Sequence, residues 1–143
     1  MMKSFRGLLA DGGQDTIRLS TNNGLIGYKI KKFEIMANTP GTQTAEYVGK
    51  IWTREQDTVD GVVDFSNSEL LAAATLVVHT SSSNPETPMA VIFDNVAINQ
   101  DIFVTAFDAD SSASMNYYIE LEQLKLGFNE AAVATLKDMR GSN

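Results

Sequence analysis

Apolar and polar residues alternate along much of this chain with a period of two, the spacing of strands buried on one face. The longest such stretch covers residues 116–127, Asn-Tyr-Tyr-Ile-Glu-Leu-Glu-Gln-Leu-Lys-Leu-Gly. Tyr117, Ile119 and Leu121 share one parity, and Tyr118, Glu120 and Glu122 the other. Leu124 and Leu126 then fall on the opposite parity. If both apolar sets face one core, an extra residue is absorbed near Glu122 and Gln123 as a β-bulge; otherwise the strand passes from one sheet to another. A second slip of phase lies in 28–36, where Tyr28 and Ile30 give way to Phe33 and Ile35 across Lys31 and Lys32.

Further strands are predicted over 15–20, 47–54, 62–65, 75–79, 89–94 and 101–108, separated by turn signals such as Asn23-Gly24, Pro40-Gly41 and Asp60-Gly61. In 47–54, Val48 and Trp52 fall on one face and Ile51 on the other; Trp52, the one tryptophan, reads as a core or sheet-edge anchor. The Leu-Leu-Ala-Ala-Ala run at 70–74 suggests a single helical turn capped by Ser66 or Ser68. Residues 81–88 and 108–114 read as loops. After Gly127, Asn129 is placed to cap a short helix over 130–137. These elements predict an all-β fold: an antiparallel β-sandwich or jelly roll of about 7–9 strands, with a short C-terminal helix and terminal arms. Its core would come from Ile17, Leu19, Ile30, Phe33, Ile35, Val91, Phe93, Ile102, Val104, Ile119 and Leu121. The division is an N-terminal arm at 1–14, the sandwich at 15–127, and a helix with tail at 128–143. Phe5, Leu8 and Leu9 at one end, and Val133, Leu136 and Met139 at the other, lie outside the predicted sandwich and are candidate contacts with a neighbouring subunit or particle.

Composition removes several classes of function. A net charge of −7 is unsuited to neutralising phosphates, so nucleic acid is not an expected partner. No apolar run approaches the roughly 20 residues of a membrane span. The first ten residues hold only a short apolar run, less than a secretory signal needs, so the chain is expected to be made and used without export. There is no cysteine, hence neither disulfide nor thiolate metal site. His79 is the single histidine, too few for a triad with a partner base or a multi-histidine metal centre, and reads as a surface or satisfied side chain. Asp108 and Asp110 begin like a calcium loop, but Ala113 and Ile119 occupy its sixth and twelfth positions, which excludes an EF-hand. A looser site from Asp94, Asp101, Asp108 and Asp110 stays open. Glu120 and Glu122 stand about 7 Å apart on one strand face; solvated residues paired with Lys29, Lys31 or Lys32 explain them better than an acid/base couple. No catalytic residue, cofactor or metal is expected.

Two segments, Asp-Thr-Ile-Arg-Leu-Ser-Thr-Asn-Asn-Gly-Leu-Ile-Gly-Tyr-Lys-Ile at 15–30 and Asn-Tyr-Tyr-Ile-Glu-Leu-Glu at 116–122, resemble small virion structural proteins of marine tailed bacteriophages. Val-Val-Asp-Phe-Ser at 62–66, the 93–103 stretch with Asn-Gln-Asp-Ile at 99–102, and Ala-Thr-Leu-Lys-Asp at 134–138 carry the same resemblance. It implies a non-enzymatic, β-rich virion protein, made in the host cytoplasm. The expected role is a capsid decoration (cement) protein bound to the major capsid protein and to itself, as a homotrimer. The alternatives are a tail or adsorption-apparatus component, or a carbohydrate-binding sandwich, which would want exposed aromatics that these loops hardly offer. The resemblance transfers no functional residue.

Overall fold

The structure, a computed structural model, describes residues 1–42, 44–78 and 90–140, and from 137 onward the backbone alone. His79 and the predicted 81–88 loop lie outside the described residues. Eight strands precede one helix: β1 (Met2–Leu9), β2 (Gln14–Ile17), β3 (Ile26–Ala37), β4 (Ala45–Trp52), β5 (Leu70–Val78), β6 (Ala90–Phe93), β7 (Ile102–Asp108), β8 (Met115–Lys125) and α1 (Phe128–Arg140). They form two antiparallel sheets, ordered β1-β8-β3 and β2-β7-β4-β5-β6. The expected all-β sandwich is what the chain forms. Its pairing is nested, β1 with β8, β2 with β7 and β4 with β5, as in a jelly roll, while β6 approaches β3 but bonds to β5.

The core lies between the sheets, where Ile30, Phe33, Ile102, Val104, Ile119 and Leu121 are almost wholly buried. The phase slip in β3 is a bulge. Ile30 pairs with Leu121 and Lys32 with Glu120, so Lys31 is the extra residue, and Ile30, Phe33 and Ile35 all turn inward. The expected bulge in β8 is not there. Its pairing runs in unbroken register through Gln123 and Leu124. Leu126 instead leaves the main core and is buried under α1 with Ala131 and Ala134. One chain segment thus serves two apolar clusters, one on each side.

Other expectations are corrected. Residues 70–74 open β5, and all five are buried. A run covered on both faces has no alternation, and its alanines read as helix. Residues 62–65 are not a strand. They belong to the 53–69 connection, which is pinned against the outer face of the five-stranded sheet. Lys50 Nζ donates to the Val62 carbonyl at 2.5 Å and to Asp60 Oδ1 at 3.2 Å. Gln14 brackets the backbone of Gln56, its Nε2 donating at 3.1 Å and its Oε1 accepting at 2.8 Å. Trp52 and Ile51 are both buried but on opposite faces of β4: Ile51 lies in the main core, whereas Trp52 shares the outer face with Lys50, whose Nζ sits 5.1 Å over its ring, and its Nε1 donates to Thr105 Oγ1 at 3.0 Å. Phe93, expected in the core, is exposed at the edge on β6, and Val91 is half-buried. The N-terminal arm is likewise corrected: most of 1–14 is β1, hydrogen-bonded to β8 along its length.

Candidate interaction surface

The six candidate contact residues fall into two groups with different fates. Leu9 is buried in the core and Phe5 packs partly against it, so neither is available to a neighbour. Leu8 points the other way and is exposed. It shares a cross-strand row with Asn116 and Met36, because Asn116 pairs with both. Together with Arg6, Glu34 and Tyr118, this row lines a groove of about 480 Å³ on the outer face of the three-stranded sheet. Tyr118 donates its hydroxyl to Glu120 Oε1 at 2.8 Å, which holds that phenol above its usual pKa. The Lys32 ammonium sits 5.8 Å over the Tyr118 ring, and Lys31 lies 3.9 Å from Glu122. Glu122 thus meets a lysine of its own sheet face as expected, whereas Glu120 takes the Tyr118 hydroxyl and Lys32 lies 3.5 Å from Glu34 instead.

Val133 and Leu136 lie on α1 and are both exposed, as is Phe128. The Met139 backbone is helical, and its side chain lies outside the described residues. The helix is longer than expected and starts earlier: the Gly127 carbonyl accepts the Ala131 N–H at 2.9 Å, which places the cap before Asn129. Its docking is slight. Ala131 and Ala134 sit on Leu126, with Leu25 and Ala97 beside them. Gly27 makes room for this, since a Cβ there would come within 2.9 Å of Leu126. Asn99, buried to 1% exposure, is the polar latch. Its Nδ2 donates to Gly24 O at 3.2 Å, Ala131 O at 3.3 Å and Thr135 Oγ1 at 2.9 Å. Periodicity missed Phe128 because the helix was expected to begin at Glu130; the signal was present in the spacing of Phe128, Ala132 and Leu136.

Of the four carboxylates in the looser calcium site left open by the sequence, Asp108 and Asp101 are committed to backbone N–H groups. Asp108 Oδ1 accepts the N–H groups of Glu46 at 2.9 Å and Asp110 at 3.0 Å, and Oδ2 those of Ala113 at 2.7 Å and Ser111 at 3.3 Å. Burial raises its pKa, but these donors outweigh that and hold it below the usual carboxylate range. Asp101 ties the end of β2 in the same way, accepting from Leu19 and Ser20 N–H at 2.7 and 2.9 Å. Among the described residues no three Asp, Glu or His side chains gather closely enough to hold a metal ion. Compared with family models, curated proteins and solved structures, the chain finds no match.

Proposed function

We propose that this chain is a non-enzymatic virion structural protein, a capsid decoration (cement) protein that docks on a shell of major capsid protein through the outer groove of its three-stranded sheet. The observation that carries the reading is the pair of exposed apolar side chains, Leu8 and Met36, set in one row on either side of Asn116. An apolar centre flanked by Arg6 and Glu34 has the anatomy of a protein-binding patch. The ionisable groups support it from the other side. Asp101 and Asp108 tie loops together, and Lys50 pins the 53–69 connection, which builds a rigid domain and leaves none of the three poised for catalysis. Net negative charge opposes non-specific association before the chain meets the shell.

One observation favours a second reading, a sugar-binding tail or adsorption component: Tyr118 offers an aromatic surface in the groove beside Arg6, Glu34 and Asn116. The Lys32 ammonium over that ring and its hydroxyl bond to Glu120 leave it poorly placed to stack a pyranose. The test is to add purified protein to particles lacking it and sediment them through a cushion. Saturable co-sedimentation, lost in a Leu8→Glu, Met36→Glu double variant that still folds, is expected. Absence of binding by the unaltered protein, or unchanged binding by the variant, rejects the groove as the docking surface.

A further inference from the structure

We infer that a cavity beside α1 binds a small amino alcohol, its ammonium held by Asp94 and its hydroxyl by Asn99. The cavity, of about 360 Å³, lies between the 94–100 segment, the start of β5, the two ends of the 53–69 connection and Ala134 of α1. It shares no residue with the groove on the three-stranded sheet, and it does not depend on the chain belonging to a particle.

Two acceptors on its walls lack a donor from the protein. Asn99 is 1% exposed, yet its Oδ1 accepts no hydrogen bond. Its Nδ2 is held by Gly24, Ala131 and Thr135, none of which lines the cavity. With Nδ2 turned toward those three, Oδ1 is the amide atom left to the cavity. A buried carbonyl oxygen in a native domain finds its donor in the chain, in a water or in a ligand. The second acceptor is Asp94, whose carboxylate makes neither ion pair nor hydrogen bond among the described residues.

Size and lining favour a ligand over a water. One water takes about 30 Å³ of liquid, whereas 360 Å³ falls in the range of small-molecule sites. Leu71, Val96, Ile98 and Ala134 make much of the wall apolar, which gives water few partners and an alkyl chain several.

The same lining selects the chemistry. No lysine, arginine or histidine among the described residues lines the cavity, so a phosphate or carboxylate would meet only the like charge of Asp94. No aromatic ring lines it either, which leaves a sugar without a stacking surface. An ammonium answers Asp94, methylenes answer the apolar wall, and a hydroxyl answers Asn99. A second ammonium in place of the hydroxyl would bury a charge against one neutral carbonyl, which disfavours a diamine. For so small a ligand the dissociation constant is expected to be roughly millimolar.

The test titrates the full, isotope-labelled chain with the linear aminobutanol at physiological ionic strength, following its amide resonances. Saturable shifts should concentrate on residues 96–100 and on the Asn99 side-chain amide. Pentylamine keeps the charge and length but replaces the hydroxyl by a methyl group, and should bind about fivefold more weakly. Asp94→Asn, at an exposed position, should weaken aminobutanol by about threefold to fivefold while the chain still folds. Butyrate should not bind. Shifts that scatter over the acidic surface without saturating would mean diffuse attraction of a cation to a chain of charge −7, and would overturn the proposal. Pentylamine binding as tightly as aminobutanol, or binding undiminished in Asp94→Asn, would overturn it too. So would aminobutanol leaving the Asn99 side-chain amide unmoved, which would assign a water to Oδ1.

Discussion

Replacing Asp108 by alanine tests whether the acidic loop is a structural knot or a metal site. The side chain is 4% exposed and accepts four backbone N–H groups between 2.7 and 3.3 Å. Truncation strands the Ala113 amide in a buried position, at about 1–3 kcal/mol for a lost partner. The Glu46, Asp110 and Ser111 amides are only partly buried and recover water, so the total loss is about 2–5 kcal/mol. Asp108→Asn keeps one acceptor oxygen and should lose about 1–2 kcal/mol. The sign with pH follows from the lowered pKa. The carboxylate contributes fully above the unfolded value near 4 and loses that contribution as pH falls through its lower folded value. The gap between the native protein and Asp108→Ala should therefore hold from neutrality to about pH 5 and narrow toward pH 3. Urea unfolding followed by the fluorescence of Trp52, the one tryptophan, measures it. Calcium and a chelator should leave the native midpoint unmoved. A loss below about 0.5 kcal/mol at neutral pH, a gap that widens in acid, or a midpoint raised by calcium would refute the reasoning.

Lys50→Met should be nearly neutral, because it removes a buried charge whose partners Asp60 and Val62 are solvent-exposed, whereas Asp60→Ala takes the carboxylate from a 2%-exposed ammonium that keeps only the Val62 carbonyl and the Trp52 ring, and should cost about 1–3 kcal/mol in the same assay. Gly7→Ala should destabilise by about 1–3 kcal/mol, since its Cβ would meet Tyr117 Cε2 at 2.8 Å and Asp15 Oδ2 at 3.1 Å. Burial, with the 2.9 Å bond to Asp15, raises the Tyr117 pKa, so stability is full below the unfolded value near 10 and falls as pH rises above it; Tyr117→Phe should flatten that decline in alkaline urea titrations. Deleting residues 1–10 should unfold the domain rather than release an arm, because it strips β1 from β8 and Leu9 from the core; a cooperative melt at the native midpoint would contradict this.

The sandwich was legible where one face of a strand is buried and the other wet. Ile17, Leu19, Ile30, Phe33, Ile35, Ile102, Val104, Ile119 and Leu121 all sit where alternation placed them. The slip at Lys31 was legible too, because a bulge leaves a two-residue scar in the pattern. Alternation failed where both faces are covered, as at Leu70 to Ala74, or where the edge is open, as at Phe93. It also misread residues 1–14. Asp11, Gly12 and Gly13 signal a turn correctly, and the Gly12 φ of 81° agrees, but a turn after a strand looks locally like the root of a loose arm. The surfaces were half legible. Leu8, Val133 and Leu136 stay exposed as expected, while Leu9 and Phe5 do not, because pairing with β8 decides which side of β1 faces the core. Met36 and the Tyr118 groove could not be seen without that register, which brings residues 8, 36 and 116 into one row.

The proposed role as a decoration protein of a virus particle is tested most directly by mass spectrometry of purified, nuclease-treated particles released from cells that carry its gene, with heads and tails separated. The expected result is the chain in the head fraction, at a copy number in fixed ratio to the major capsid protein. Its absence from both fractions, or its recovery only in the soluble fraction of the host lysate, would contradict the account.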